Sequence, residues 1–217
     1  MKRLYAVTVS AALAAAVFAP RALHDSGIHV VAVPPRAQFG ELAASDDTRD
    51  IADRIVRTAD NGGLPFFVID KRAAAIYVFD AAGRARASAP VLLGMALGDR
   101  FAPGVADKDM YQTQPSERIT PAGRFLAQPG INDQGQDVVW IQYDAGIAMH
   151  AVLDTPGQRR RERLATATPD DNRVSYGCVN LPTDFYRDVV RPLFDSTRAV
   201  VYVLPDSESP LALFARN

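Results

Sequence analysis

Phe66-Phe67-Val68-Ile69-Asp70-Lys71-Arg72-Ala73-Ala74-Ala75-Ile76-Tyr77-Val78-Phe79 contains two short apolar runs parted by a charged break. The runs are aromatic and β-branched, and both are too short for a helix of ordinary length. Two strands joined by a turn at Asp70-Lys71-Arg72 fit that pattern. A second turn, Asp80-Ala81-Ala82-Gly83, and a third apolar run from Ala89 to Leu93 extend it into an antiparallel meander.

The same signals continue downstream. Thr120-Pro121-Ala122-Gly123 marks a tight turn before a strand at Arg124 to Gln128. Asp137 to Tyr143 and Ile147 to Leu153 read as a strand pair around Asp144-Ala145-Gly146, and Ala199 to Leu204 as a closing strand. Gly94 to Arg118 is polar, with Gly and Pro, and reads as a long surface loop. Helices are few. One is expected from Ser45, a capping residue followed by Asp46 and Asp47, with Ile51, Ile55, Val56 and Ala59 at helical spacing and Asn61-Gly62-Gly63 as its stop. Another is expected from Pro182 to Phe194, where Phe185, Val189, Val190 and Leu193 share a face.

The chain has 217 residues, 48% of them hydrophobic, and a formal net charge of -1. A sizeable core can form, and the charge gives no support for nucleic-acid binding through a global positive field. Lys2 and Arg3, the apolar run Leu4 to Phe18 and the small residues after it read as an export signal over 1–19, cleaved after Ala16 or Ala19. An uncleaved anchor is the alternative, although the run is short for a membrane span. Residues 20–63 read as a linker plus the first helix, 64–205 as the main domain, and 206–217 as a tail.

Chemistry concentrates at Ser175-Tyr176-Gly177-Cys178-Val179-Asn180, which holds the only cysteine. A lone Cys in an exported chain cannot form an internal disulfide, so it is either well buried or at work. A thiol needs a base or a positive field to react. Of the three histidines, His24 and His29 lie in the arm next to the signal, and His150 lies on a core-pattern strand. Cys178 as nucleophile with His150 as base is the favoured reading, against a satisfied core histidine. The amides of Gly177 and Cys178 suit a developing oxyanion, with Ser175 and Asn180 holding the turn.

A His followed later by Ser-x-Gly-Cys-hydrophobic-Asn resembles the signature of the L,D-transpeptidase (YkuD-type) catalytic domain. The paired runs Phe67 to Asp70 and Ala75 to Phe79 resemble its opening strands. Ile119-Thr120-Pro121-Ala122-Gly123-Arg124-Phe125 resembles its Thr-Pro-x-Gly-x-Phe stretch, and Leu181 to Phe185 with the closing strand resembles its tail. The resemblance covers roughly residues 64–205 and rests on ordered pieces. It implies a mainly β chain, a mixed-sheet β-sandwich with an N-terminal helix and a helix after the Cys. It also implies Cys178 as nucleophile, His150 as base, the Ala151 carbonyl as the group orienting the imidazole, and Gly177 and Cys178 as oxyanion donors. The implied substrate is a peptidoglycan stem peptide, acylated through a thioester and resolved as a 3→3 cross-link in the cell envelope or periplasm, with no cofactor or metal.

Two departures are visible. Tyr176 stands where the family pattern has His, and the stretch from Asp154 to Val174 is longer than usual. That stretch reads as a lid whose Arg159, Arg160, Arg161 and Arg163 either grip a substrate carboxylate or form a solvated charged face. An L,D-carboxypeptidase uses the same thioester with water as acceptor, and a non-catalytic envelope protein binding peptidoglycan is the other class. A papain-like protease has Cys before His, the reverse of this order. One Cys and one credible His make a poor zinc site. Nothing in the sequence indicates the oligomeric state.

Overall fold

A computed structural model describes residues 35–101 and 103–216. The expected export signal, and His24 and His29, lie outside the described residues. The expectation of a mainly β chain holds. An eight-stranded mixed sheet runs in the order β3-β2-β1-β10-β5-β6-β7-β9. Its strands are β1 (Phe66–Asp70), β2 (Ala75–Phe79), β3 (Ala85–Pro90), β5 (Gly123–Ile131), β6 (Asp137–Gln142), β7 (Ile147–Ala151), β9 (Val179–Leu181) and β10 (Ala199–Val203). A small parallel pair, β4 (Leu93–Gly94) and β8 (Arg173–Ser175), lies apart.

One long strand makes the sandwich. Residues 123–127 of β5 pair with β10, and residues 128–131 pair with β6. The two halves of the sheet therefore share β5 and fold over a common core. Phe67, Ile69, Val201 and Val203 from one half meet Val139, Met149, Val179 and Leu181 from the other. Period-two alternation sends Phe66, Val68, Val200 and Tyr202 to the opposite face. There they pack with helix α1 (Asp46–Thr58) and the C-terminal helix Pro210–Ala215, through Ile51, Ile55 and Phe214.

Helix α1 starts as expected, with the Ser45 hydroxyl accepting the Thr48 N–H at 3.1 Å. Ser45 also donates to Asp70 Oδ2 at 2.5 Å, which joins the helix start to the end of β1. The helix stops earlier than expected, at Thr58, because Ala59 adopts the left-handed cap conformation at φ 52°. Asn61 is buried instead, donating to Leu64 O at 2.7 Å and Ala81 O at 3.0 Å.

The third strand of the meander is displaced from its expected place. It lies at Ala85–Pro90, half-exposed, at the edge of the sheet. Val91, Leu92 and Leu93 leave the sheet edge and enter the cores. Their apolar run marked burial, not the strand, since an edge strand has no need of apolar side chains on both faces. The expected strands at 137–143 and 147–153 are present but end earlier, at Gln142 and Ala151. The helix after the cysteine occupies 183–193 with a π-helical segment at Tyr186–Val190. That segment buries Tyr186 and Val190, and Tyr186 Oη donates to Asp137 Oδ1 at 2.6 Å, pinning the helix to the start of β6.

Candidate active site

The cysteine turn is held from behind. Gly177 has φ +134°, and a Cβ there would meet Ile119 O and Ile147 Cδ1, each at 2.7 Å, so only glycine fits. Thr120 is buried and makes two bonds to this region. Its Oγ1 donates to Gly177 O at 2.8 Å and accepts the Gly94 N–H at 2.8 Å. Behind Thr120 stands Lys71, fully buried, whose Nζ donates to Thr120 O at 3.0 Å and pairs with Asp99 and Asp206, both at 3.0 Å. Sequence reasoning assigned no role to Lys71. A lone Lys between two strands carries no local sign of burial, because its partners come from remote segments.

Ser175 shapes the turn from within. Its hydroxyl donates to Cys178 O at 2.6 Å and accepts the Gly177 N–H at 3.1 Å. The Gly177 amide, expected among the oxyanion donors, is thus engaged with Ser175 inside the turn. The reason is local: a hydroxyl two residues before an amide closes a tight side-chain turn.

Cys178 and His150 are brought together by the parallel pairing of β7 with β9. The register sets His150 opposite Asn180 and Met149 opposite Val179. Cys178 stands just ahead of β9, two residues before Asn180, and its sulfur lies against the backbone of β7 a short way before His150. The two do not hydrogen-bond to each other in this conformation. Cys178 Sγ donates to Gly146 O at 3.5 Å, and the Ala148 N–H points at the sulfur.

His150 Nδ1 lies 2.8 Å from Ala151 O. A carbonyl cannot donate, so Nδ1 carries the proton and the lone pair sits on Nε2. Asn180 Nδ2 approaches that Nε2 at 3.3 Å. The amide is oriented by Arg160, whose Nη1 donates to Asn180 Oδ1 at 2.9 Å. The ordered chain is thus Arg160, Asn180, His150, Ala151.

Burial sets the protonation states. It pushes the Cys178 thiol above its ordinary value of 9.0, and the Ala148 N–H and the Arg160 charge pull down without offsetting it. Burial likewise pushes His150 below 6.5; the bond to Ala151 works the other way, and the Arg160 charge adds to the fall. At neutral pH both groups are uncharged. Both shifts favour the uncharged forms, the thiol and the neutral imidazole.

The residues around the turn divide clearly. Tyr176 is half-buried beneath the Arg118 guanidinium, 3.9 Å from the ring centroid, and meets Tyr111 edge-on at 6.2 Å. Arg118 was not singled out from the sequence, where it is one charge in a polar loop. The basic run separates as helix α2 (Arg160–Leu164) forms. Arg160 is buried, while Arg159 pairs with Glu162, and Arg161 pairs with Asp154 at 2.9 Å. Arg163 bonds to the carbonyls of Gln158 and Asp171 at 2.9 and 2.8 Å. The three arginines 159–161 do not share one face: Arg159 precedes the helix in a left-handed conformation at φ 48°, and Arg160 and Arg161, successive helical residues, point about 100° apart.

Among the described residues, no cluster of three or more His, Cys, Asp or Glu side chains is placed to hold a metal. No helix among them is long and apolar enough to cross a membrane.

No protein-family model matches the chain. No curated protein matches it. Among solved structures, it is similar to an L,D-transpeptidase from Mycobacterium smegmatis at 17% identity and a TM-score of 0.37, over 64% of this chain and 58% of that one. An L,D-transpeptidase from Mycobacterium tuberculosis matches at 14% identity and a TM-score of 0.41, over 64% of this chain and 57% of the other. The helical cell shape determining protein Pgp2 from Campylobacter jejuni matches at 15% identity and a TM-score of 0.42, over 67% and 49% respectively. The chain thus spans about half to three fifths of the length of these proteins. At such values the meaning of the site rests on its own geometry, a cysteine turn and an oriented histidine carried on adjacent parallel strands.

Proposed function

We propose that the chain is a cysteine acyltransferase acting on peptidoglycan stem peptides in the cell envelope, an L,D-transpeptidase. The observation that carries this reading is the His150 ring, tied at Nδ1 to Ala151 O at 2.8 Å so that its lone pair is on Nε2, on the strand whose first residues hold the Cys178 sulfur. The ordered motifs from Phe67 to the closing strand support the family assignment, and the apolar run after Lys2 and Arg3 supports export.

The chemistry follows from the neutral pair. His150 Nε2 exchanges the Asn180 amide for the thiol proton as Cys178 Sγ attacks the carbonyl of the third stem residue. The C–S bond forms, and the developing oxyanion takes the Cys178 N–H, since the Gly177 N–H is already given to Ser175. His150 then returns the proton to the leaving D-alanine amine as the C–N bond breaks, which leaves a thioester. An amine from a neighbouring stem attacks the thioester and passes a proton to His150, which gives it to the Cys178 sulfur as the C–S bond breaks, restoring the neutral pair. The product is a 3→3 cross-link; water in place of the amine gives a shortened stem.

The test is incubation of the purified protein with muropeptides, followed by mass spectrometry, beside carbapenem labelling of wild type and Cys178→Ala. Cross-linked dimers and an adduct confined to Cys178 are expected. Shortened monomers alone would assign L,D-carboxypeptidase activity to the same site. A folded wild type giving neither product nor adduct would overturn the enzyme and leave a binding protein of the envelope.

A further inference from the structure

Arg160 differs from its neighbours in the basic run. Its residue exposure is 8%, and among the described residues no carboxylate pairs with it. Its Nε donates to Gln158 Oε1 at 2.7 Å, and its Nη1 donates to Asn180 Oδ1 at 2.9 Å. Both partners are neutral amides. A buried guanidinium held only by neutral groups carries a desolvation cost that an anion would offset. The group placed to become that anion is the Cys178 sulfur: Asn180 takes Arg160 on Oδ1 at 2.9 Å and gives Nδ2 to Cys178 O at 3.4 Å, so one side chain separates the guanidinium from that residue.

We propose that Arg160 is a positioning residue that sets the state of the Cys178–His150 pair. It fixes the Asn180 amide so that Nδ2 faces His150 Nε2, and it supplies the positive charge that the thiolate meets when it forms. Tyr176 occupies the place before Gly177 where the related motif carries His, and an uncharged phenol cannot supply that charge. Arg160, delivered from the inserted stretch 154–174, does so from another direction.

The amide bond explains the geometry. An Asn side chain is nearly symmetric in shape, and only its partners decide which end is oxygen. Arg160 can only donate, so Oδ1 must face it and Nδ2 must face the imidazole. Without Arg160 the amide keeps only its long contacts, Nδ2 to Cys178 O at 3.4 Å and to Nε2 at 3.3 Å, and loses the 2.9 Å bond that anchors Oδ1. The groups set around Cys178 are Gly146 O and the Ala148 N–H from β7 and its approach, Ser175 and Asn180 on its carbonyl, and Arg160 from α2 behind Asn180, while Tyr176 in the same turn is stacked with Arg118 at 3.9 Å. Of these, Arg160 is the cation already bonded into the Asn180–His150 chain.

Arg160 works in this way only if Cys178 is the nucleophile proposed above, so the test reads the thiol directly and needs no muropeptide. The pH dependence of Cys178 alkylation by iodoacetamide is measured for wild type, Arg160→Gln, Arg160→Lys and Gln158→Ala, with thermal unfolding as the control for folding. Arg160→Gln is expected to move the alkylation inflection alkaline by roughly one pH unit, slowing alkylation at neutral pH about tenfold. Arg160→Lys restores most of the inflection, yet carbapenem acylation stays about tenfold slow, because a point charge lacks the planar fork that orients Asn180. Gln158→Ala, which frees one side of Arg160 without touching the pair, moves the inflection less in the same direction. A folded Arg160→Gln with the wild-type inflection overturns the proposal. If that variant does not fold, wild-type inflections in both Arg160→Lys and Gln158→Ala, with wild-type acylation, overturn it equally. A wild type inert to muropeptides whose inflection still moves in Arg160→Gln would refute the proposed function and leave the role of Arg160 standing.

Discussion

Replacing Thr120 by Val tests how the cysteine turn is held. The two side chains have nearly the same shape, so the change removes one hydroxyl and leaves the packing almost intact. That hydroxyl serves two buried backbone groups, donating to Gly177 O and accepting the Gly94 N–H, both at 2.8 Å. Val leaves each without a partner. An unsatisfied buried polar group costs about 1–3 kcal/mol, so the variant should lose about 2–4 kcal/mol of stability if the turn relaxes part of the way. For a domain of this size that is a fall in Tm of roughly 4–15 °C. Urea unfolding gives the energy, and the rate of carbapenem modification at Cys178 gives the effect on the site, expected to drop on the order of tenfold as the turn shifts. Thr120→Ser is the control. It keeps the hydroxyl, loses a methyl, and should cost about 1 kcal/mol with the modification rate nearly unchanged. A Val variant within about 0.5 kcal/mol of wild type, or Ser and Val variants that lose the same amount, would refute the reasoning.

Lys71→Met should destabilise by about 3–5 kcal/mol, because it leaves Asp99 buried without its cation and Asp206 with Arg173 alone; urea unfolding that shows a loss under about 1 kcal/mol would sink this account. Burial pushes the Asp99 carboxyl up, but bonds from Ser207, the Asp206 N–H and Lys71 outweigh it and hold the group at about 2. Its folded value is thus below its ordinary 3.8, so its contribution is complete above 3.8 and fades as pH falls towards about 2. A loss of about 2 kcal/mol across that window, absent in Asp99→Asn, is the expected result, and identical acid profiles for the two proteins would contradict it. For His150, whose folded value lies below 6.5, the acid limb of kcat/KM should fall below pH 6.5, since the base stays unprotonated until then. An acid limb centred above 6.5 would mean that another group is the base, or that an ion pair forms before substrate binds.

Much of the fold was legible along the chain because strand signals are local. Phe66–Asp70 and Ala75–Phe79 announce themselves by β-branched and aromatic runs around a charged turn, and both strands occupy those residues. Ser45 with Asp46 and Asp47 marks the start of α1 by capping chemistry that needs no distant partner. Where the reading failed, burial and strand had been taken as one signal. Val91 to Leu93 are apolar because they enter the cores, whereas β3 is a half-exposed edge that needs few apolar residues.

The candidate site divides along the same line. Composition and motif alone singled out Cys178, His150, Ser175, Gly177 and Asn180, since rare residue types in a tight turn stand out in any sequence. Their relations did not follow from it. The parallel register that sets His150 opposite Asn180, the capture of the Gly177 amide by Ser175, and the burial of Lys71 behind Thr120 all join segments remote in the chain or depend on turn geometry. The basic run shows the limit most plainly. Arg159, Arg160 and Arg161 are identical letters in a row, and only the rotation of a helix turns one of them into the core beside Asn180 while the others face water. Residue types are written in the sequence by themselves. Which of them meet is decided by strand pairing and helix phase, and these are properties of the packed whole.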